Sequence, residues 1–156
     1  MGSGSSSNVA VVPKVNPIPE GKTRVCVAGF KISLYTGFAR RLAALLAKNH
    51  SEGYETWFYF DSGDNYYKFL KDKFDPVPFP PHLKGHDSSP FVWLERGPNH
   101  DLELIGGASA LREWILAQPT LAGDKELIDA ATNNWKILDT FHNGGGAPQS
   151  TANISQ

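Results

Sequence analysis

Two hydroxyl side chains, Ser33 and Thr36, stand where an α/β protein could do chemistry. They follow a short apolar run, residues 25–28, and Thr36 falls in an amphipathic run that starts near Tyr35. That order predicts a strand, a short loop and the start of a helix. A helix N-terminus offers unpaired N–H groups and the positive end of a dipole, so anions bind and nucleophiles act at such corners. Residues 29–36 are therefore the first candidate site.

This candidate site holds hydroxyls but no group that would activate them. A serine hydroxyl becomes a nucleophile only beside a base, because a helix dipole alone cannot lower its pKa far enough. No His, Asp or Glu lies within residues 30–41. The single cysteine, Cys26, lies between two valines of the predicted strand, where a buried thiol behaves as a small hydrophobic group. The sequence therefore predicts no catalytic residue in this segment.

Metal chemistry has little support in the sequence. One cysteine excludes an internal disulfide and a cysteine-based zinc cluster. His82 and His86 are four residues apart, a spacing that metal ligands have on a helix. Pro81 before them and Gly85 between them disfavour that helix. We therefore expect exposed loop histidines and no metal site.

The composition is that of an ordinary globular domain. The chain has 156 residues, a net charge of −1 and 40% hydrophobic residues, which suits one domain with a buried core. Without a basic face, a nucleic-acid partner is not expected. No window approaches the roughly 20 apolar residues that span a bilayer, and no secretory signal is visible. The sequence predicts a cytoplasmic protein without a transmembrane segment.

Both ends of the chain are predicted to be flexible. Residues 1–22 are rich in Gly and Ser and then broken by prolines, which predicts a flexible N-terminal arm. Gly2 with Ser6 fits the N-myristoylation pattern, so a membrane-tethered adaptor is an alternative, although one acyl chain binds a membrane weakly. Residues 144–156 begin with three glycines and predict a disordered tail.

Between the two ends, apolar periodicity predicts four strands and four helices. The strands are residues 23–28, 56–60, 91–95 and 102–105, and Asp64 is the expected N-cap of the second helix. The predicted inner faces of the helices are Tyr35, Phe38, Leu42, Leu45 and Leu46; Tyr67, Leu70 and Phe74; Leu111, Trp114 and Ile115; and, in a last helix over 124–141, Leu127, Ala131, Trp135, Leu138 and Phe141. The order is β-α-β-α-β-β-α with an extra C-terminal helix, an α/β fold.

This order and three landmarks resemble the glutaredoxin branch of the thioredoxin fold. Ser33-Leu34-Tyr35-Thr36 stands at the position of that family's Cys-Pro-Tyr-Cys motif. Ser89-Pro90 stands at the position of its cis-proline, and Gly106-Gly107 at the position of the glycine pair after the fourth strand. Each landmark is weak alone, and their order and spacing together carry the resemblance over residues 24–118.

The resemblance implies a four-stranded mixed sheet with flanking helices over residues 23–118, followed by a helical extension over residues 119–143. It also implies a lost activity. Ser33 replaces the nucleophilic cysteine, Thr36 replaces the resolving cysteine and Leu34 replaces the proline. Thiol–disulfide exchange needs a thiolate. The expected function is therefore that of a redox-inactive structural or protein-interaction module, not an enzyme.

A second interpretation keeps the family's ligand. In the family, backbone groups beside the cis-proline and after the glycine pair hold glutathione, so this chain is alternatively a glutathione- or anion-binding protein or a glutathione-dependent enzyme. If instead the proline and the glycines serve folding alone, no cofactor is expected. The residues that would form the ligand or partner groove are Lys31, Ser33, Ser89, Pro90, Gly106, Gly107, Ala108 and Ser109.

A narrower resemblance suggests a cellular setting. Residues 27–29, 88–93 and 104–107 are similar to the glutaredoxin-like N-terminal module of a malate-dehydrogenase-like protein of ciliated cells. This resemblance implies a place in a ciliary or flagellar axoneme, with axonemal or microtubule-associated protein partners.

Overall fold

The secondary structure follows the predicted order. A computed structural model describes residues 17–74, 89–99, 101–133 and 135. The elements are β1 (Thr23–Phe30), α1 (Leu34–Asn49), β2 (Tyr54–Asp61), α2 (Gly63–Phe74), β3 (Phe91–Arg96), β4 (Asp101–Gly106), α3 (Ala108–Leu116), a short 3₁₀ helix (Pro119–Leu121) and α4 (Lys125–Thr132). Among these residues, no helix is both long enough and apolar enough to cross a bilayer.

The four strands form one mixed sheet in the order β2-β1-β3-β4. β1 pairs in parallel with β2, and β3 pairs antiparallel with both β1 and β4. Consequently β1, β2 and β4 end at the edge of the sheet where β3 begins, and α1, α2 and α3 start at that edge. The α/β class and the mixed sheet are confirmed, and the layout is compatible with a thioredoxin-like fold.

Two apolar cores lie on opposite faces of the sheet, because successive side chains of a strand alternate between the faces. Val25 and Val27 of β1 join a core with α1, α3 and α4. Cys26 and Ala28 join a second, largely aromatic core with α2. In the described part of the chain, the sheet is therefore the middle of three layers, with α2 on one side and α1, α3 and α4 on the other.

The predicted inner face of α2 is confirmed for Phe74, which is buried, and wrong for Tyr67. Tyr66 and Phe69 are fully buried, whereas Tyr67 is 42% exposed. Tyr66 packs edge-on against Phe30, with ring centroids 5.3 Å apart. α2 begins at Gly63, so Asp64 lies in its first turn and does not cap it. The sequence alone does not show which of the adjacent residues Tyr66 and Tyr67 faces the sheet. Tyr66 is the buried one because it packs on the sheet together with Phe69.

The last helix begins where predicted but ends earlier. Asp124 caps α4 by accepting a hydrogen bond from the Leu127 N–H over 3.0 Å. α4 then ends at Thr132, with Asn133 as its C-cap, and Trp135 lies in a turn. Asparagine has a weak helix propensity and favours caps, which explains the stop. Leu138 and Phe141 lie outside the described residues.

The end of the predicted arm packs against the sheet. Ile18 is 3% exposed, and Glu20 forms an isolated bridge with Gly97, the first residue after β3. A Cβ atom at Gly97 would collide with the Ile18 carbonyl, so glycine permits this close approach. Residues 1–16 lie outside the described part of the chain. The undescribed residues also include His82, His86 and the predicted tail, residues 144–156.

Asp124 ties the start of α4 to the end of α1. His50 Nε2 lies 2.7 Å from Asp124 Oδ2, and Asn49 Nδ2 donates to the same carboxylate over 3.1 Å. Desolvation raises the pKa of this carboxyl, but the Leu127 N–H and the Asn49 and His50 side chains together lower it below its usual value. The carboxylate thus holds two helix ends together in its charged form.

The lowered pKa of Asp124 predicts a loss of stability in acid. A carboxyl whose pKa is lower in the folded state stabilises the fold above its unfolded pKa, and this contribution disappears as the pH falls through the folded pKa. Asp124→Asn keeps an acceptor for Leu127 but removes the charge, so its unfolding free energy should depend less on pH below about pH 4. Urea titrations from neutral to acid pH measure this difference.

Asp124→Ala is the matched comparison, because it removes the cap as well. Its free energy of unfolding should be about 1 kcal/mol lower at neutral pH, which is the usual contribution of a helix N-cap. If Asp124→Asn and the unmodified protein have the same pH dependence, the charge of Asp124 does not contribute.

Candidate functional site

Ser33 is the N-cap of α1. Its backbone is extended, with φ −162° and ψ 130°, and its Oγ accepts a hydrogen bond from the Thr36 N–H over 3.2 Å. The Gly37 N–H donates to the Ser33 carbonyl over 3.1 Å. The Ser33 hydroxyl therefore supports the first turn of the helix.

Thr36 is fully buried, and its hydroxyl meets another hydroxyl from far along the chain. Thr36 Oγ1 and Ser89 Oγ are 2.6 Å apart, and the Phe30 N–H donates to Ser89 Oγ over 2.8 Å. These three groups join the end of β1, the first turn of α1 and the segment that leads into β3. We call this set, Phe30 N–H with Thr36 and Ser89, the hydroxyl clamp.

Gly29 leaves room for the hydroxyl clamp. A Cβ atom at this position would lie 2.5 Å from Thr36 Oγ1 and 2.6 Å from Ser89 Oγ, closer than atoms of this kind approach. The first strand was predicted to end at residue 28, but β1 continues through Gly29 to Phe30, which pairs with Asp61 of β2. The glycine is required by the close approach of the two side chains.

The other two landmarks lie at the same edge of the sheet. The Ser89–Pro90 peptide bond is cis, as the resemblance implies, and Pro90 is buried. Val92 of β3 pairs with Gly106 of β4 and, on its other side, with Val27 of β1. Gly106 has φ +127°, a conformation that favours glycine. The structure thus brings the glycine pair to the edge where β1 ends.

The N-terminus of α3 lacks a side-chain cap. Gly107 occupies the N-cap position without a side-chain hydrogen bond, and the first turn holds no acidic residue. Ala108 is buried, whereas Ser109 is exposed. Lys31, the predicted cation of the groove, is half-buried, and its backbone N–H donates to the Asp61 carbonyl over 3.0 Å.

No activated nucleophile is assembled by the described residues at this edge. The nearby carboxylate of Asp61 accepts from the Tyr59 hydroxyl over 2.9 Å and from the Ser62 N–H over 2.7 Å. Cys26 is buried in the second core, and desolvation, followed by the charge of Glu95, raises the pKa of its thiol well above the usual value. Within the described ranges, no three His, Cys, Asp or Glu side chains are grouped as a metal ion would need.

Large apolar side chains are exposed in the segment that follows β1, at the start of α1 and on α2. Ile32 is 51% exposed, Leu34 41%, Tyr35 46% and Tyr67 42%. We call these four residues the apolar corner. Tyr35 was predicted to face the core, but it lies in the first turn of α1 and is 46% exposed, and its ring packs edge-on against Phe38 with centroids 5.3 Å apart. Sequence reasoning missed Ile32 and Tyr67, although an apolar residue on each side of Ser33 was a usable signal.

A comparison with protein-family models finds no match for this chain, and a comparison with curated protein sequences finds no significant match either. The resemblance to glutaredoxins therefore depends on the three landmarks and on the layout of the sheet.

The hydroxyl clamp should contribute to stability. Ser89→Ala removes the acceptor of the Phe30 N–H and the hydrogen-bond partner of the Thr36 hydroxyl. This loss should lower the unfolding free energy by about 2 kcal/mol. Thr36→Val removes one hydroxyl and keeps the shape, and should cost about 1 kcal/mol. Urea denaturation followed by circular dichroism measures both changes.

Ser109→Ala is the matched control, because this exposed hydroxyl should change stability by less than about 0.5 kcal/mol. The double variant Ser89→Ala/Thr36→Val should lose less than the sum of the two single losses, since the side chains share one contact. Strict additivity would contradict a direct bond between these hydroxyls.

Proposed function

We propose that this chain is a redox-inactive, glutaredoxin-like domain of thioredoxin-like fold that serves as a structural or protein-interaction module. The observation that carries this proposal is the state of the two hydroxyls at the cysteine positions. Ser33 caps α1, and Thr36 is fully buried in the hydroxyl clamp. Both side chains stabilise the fold at the position where the family has its reactive thiols.

The chemistry of these groups argues against an enzyme. Thiol–disulfide exchange transfers electrons between sulfur atoms, and a hydroxyl cannot form the mixed disulfide that it passes through. Hydrolysis by a serine would need a base beside Ser33, and no His, Asp or Glu lies within residues 30–41. Cys26 belongs to the buried aromatic core on the far face of the sheet.

The apolar corner is the surface that we assign to a protein partner. Its four side chains are among the six large hydrophobic residues that are exposed in the described part of the chain. Two of them, Tyr35 and Tyr67, are tyrosines, a residue type enriched at the energetic centres of protein interfaces. A contact of this kind would remove apolar surface from water at the edge where the family binds its substrates.

The proposed partners are axonemal or microtubule-associated proteins, and the proposed location is the cytoplasm of a cilium or flagellum. This part of the proposal is supported by the narrower resemblance of residues 27–29, 88–93 and 104–107 alone. A protein without enzymatic chemistry suits a structural assembly of that kind.

A second candidate function is the binding of glutathione or another small anion at the same edge. It is favoured by the N-terminus of α3, where Gly107 supplies no side-chain cap and the first turn has no acidic residue. The first turn of α1 has no acidic residue either. Ser89 and Pro90, with the backbone of Gly107–Ser109, would then hold the ligand, since helix N-termini attract anions.

Glutathione assays distinguish the two functions. The leading proposal predicts no turnover of glutathione disulfide and no saturable heat on calorimetric titration with glutathione. Ser33→Cys should react rapidly with glutathione disulfide, because the start of α1 stabilises a thiolate. Thr120→Cys, an exposed thiol away from the sheet edge, is the matched control. Turnover by the unmodified protein would contradict the redox-inactive proposal, and saturable heat would favour the anion-binding function.

A capture experiment tests the partner. The protein, immobilised and incubated with an extract of ciliated cells, should retain axonemal or microtubule components, and Tyr35→Ser/Tyr67→Ser should not. The control variant Leu102→Ser/Leu116→Ser replaces two residues of similar exposure outside the apolar corner. It should still retain the axonemal or microtubule components. Equal recovery by all three proteins would argue against the corner, and recovery by none would argue against the ciliary setting.

A further inference from the structure

A groove with oppositely charged walls lies between α1 and α4, apart from the hydroxyl clamp. Its volume is about 310 Å³. Arg41 and Lys48 lie on the wall formed by α1, and Glu126 and Asp129 lie on the wall formed by α4. Ala44, which is exposed, lies on the α1 wall, between Arg41 and Lys48 in the sequence. The groove thus presents a cationic strip and an anionic strip side by side.

The two walls run antiparallel. At one end, Asn49 at the close of α1 donates to Glu126 Oε1 over 3.0 Å. At the other end, Trp135, three residues beyond α4, packs edge-on against Phe38 near the start of α1, with ring centroids 5.9 Å apart. Lys48 therefore lies at the level of Glu126, and Arg41 lies nearer to the end of α4.

A two-fold rotation makes this surface complementary to itself. With the axis along the groove, α1 of one copy lies over α4 of the other, so each cationic strip meets an anionic strip. With the axis across the groove, like strips would meet and repel. The net charge of −1 adds little general repulsion between two copies. A strongly acidic or strongly basic partner would be repelled by the strip that carries the same sign of charge, so a second copy fits this surface better.

We propose that the α1–α4 groove is the interface of a symmetric homodimer whose two-fold axis runs along the groove. Lys48 pairs with Glu126 of the second copy, and Arg41 pairs with Asp129 of the second copy. Ala44 allows the two helix pairs to approach closely. Arg41 and Asp129 also have contacts within their own chain. The Arg41 guanidinium has five N–H donors, enough to bind a second carboxylate as well. Exposed ion pairs contribute little each, so the dimer is weak and concentration-dependent.

Charge reversal tests the dimer. Sedimentation equilibrium of the full chain over a range of concentrations should show a monomer–dimer equilibrium. Arg41→Glu places a carboxylate opposite Asp129 of the second copy, and Asp129→Arg places a guanidinium opposite Arg41 of the second copy, so each variant alone should self-associate about tenfold more weakly. An equimolar mixture of the two variants should dimerise again, because each strip then meets its opposite. About 0.5 M salt should weaken the original dimer.

Lys71→Glu and Asp72→Arg on α2, on the other face of the sheet, are the matched controls and should leave self-association unchanged. Thermal unfolding of every variant shows that it is folded. A protein that stays monomeric at all concentrations would overturn the proposal. So would a dimer that Arg41→Glu does not weaken, or a pair of variants that does not associate when mixed.

Discussion

The contact between the Thr36 and Ser89 hydroxyls, 2.6 Å apart, is the constraint on which the rest of the site edge depends. It requires a glycine at position 29, because no Cβ atom fits beside the two oxygens. It holds the start of α1 against the segment that enters β3, and the Phe30 N–H ties the end of β1 to the same oxygen. Three separate parts of the chain therefore share one small polar contact, and the hydroxyls that make it are not free to react.

The opposite end of the sheet is held by buried charges. Arg24, 1% exposed, pairs with Glu55 over 2.7 Å, and Lys73 at the end of α2 pairs with Glu95 over 3.1 Å. Glu95 also accepts from the Trp93 indole over 2.7 Å. Removing one member would leave a buried charge uncompensated, which is costly. The sheet is thus fixed at both ends, and the edge that carries the candidate site lies on a rigid scaffold.

α1 connects the two proposed surfaces. Its first turn supplies Leu34 and Tyr35 to the apolar corner, and its middle and last turns supply Arg41 and Lys48 to the charged groove. The two surfaces are distinct in chemistry, one apolar and one charged, and lie at different levels of the same helix. A dimer through the groove leaves both apolar corners accessible to a partner, so the two proposals are compatible and separately testable.

The sequence by itself determined the order of the elements, the α/β class, the burial of Cys26 and the lack of a base near the hydroxyls. These features depend on local periodicity and on residue chemistry, and both can be read from the amino-acid sequence without the tertiary structure. Only the tertiary structure decided that Ser89 meets Thr36, 53 residues away, that Tyr66 rather than Tyr67 is buried, that Tyr35 is exposed and that α1 and α4 form a charged groove. The reason is physical. Helical periodicity defines a buried face only to within about one residue, and contacts between distant residues depend on how the faces pack.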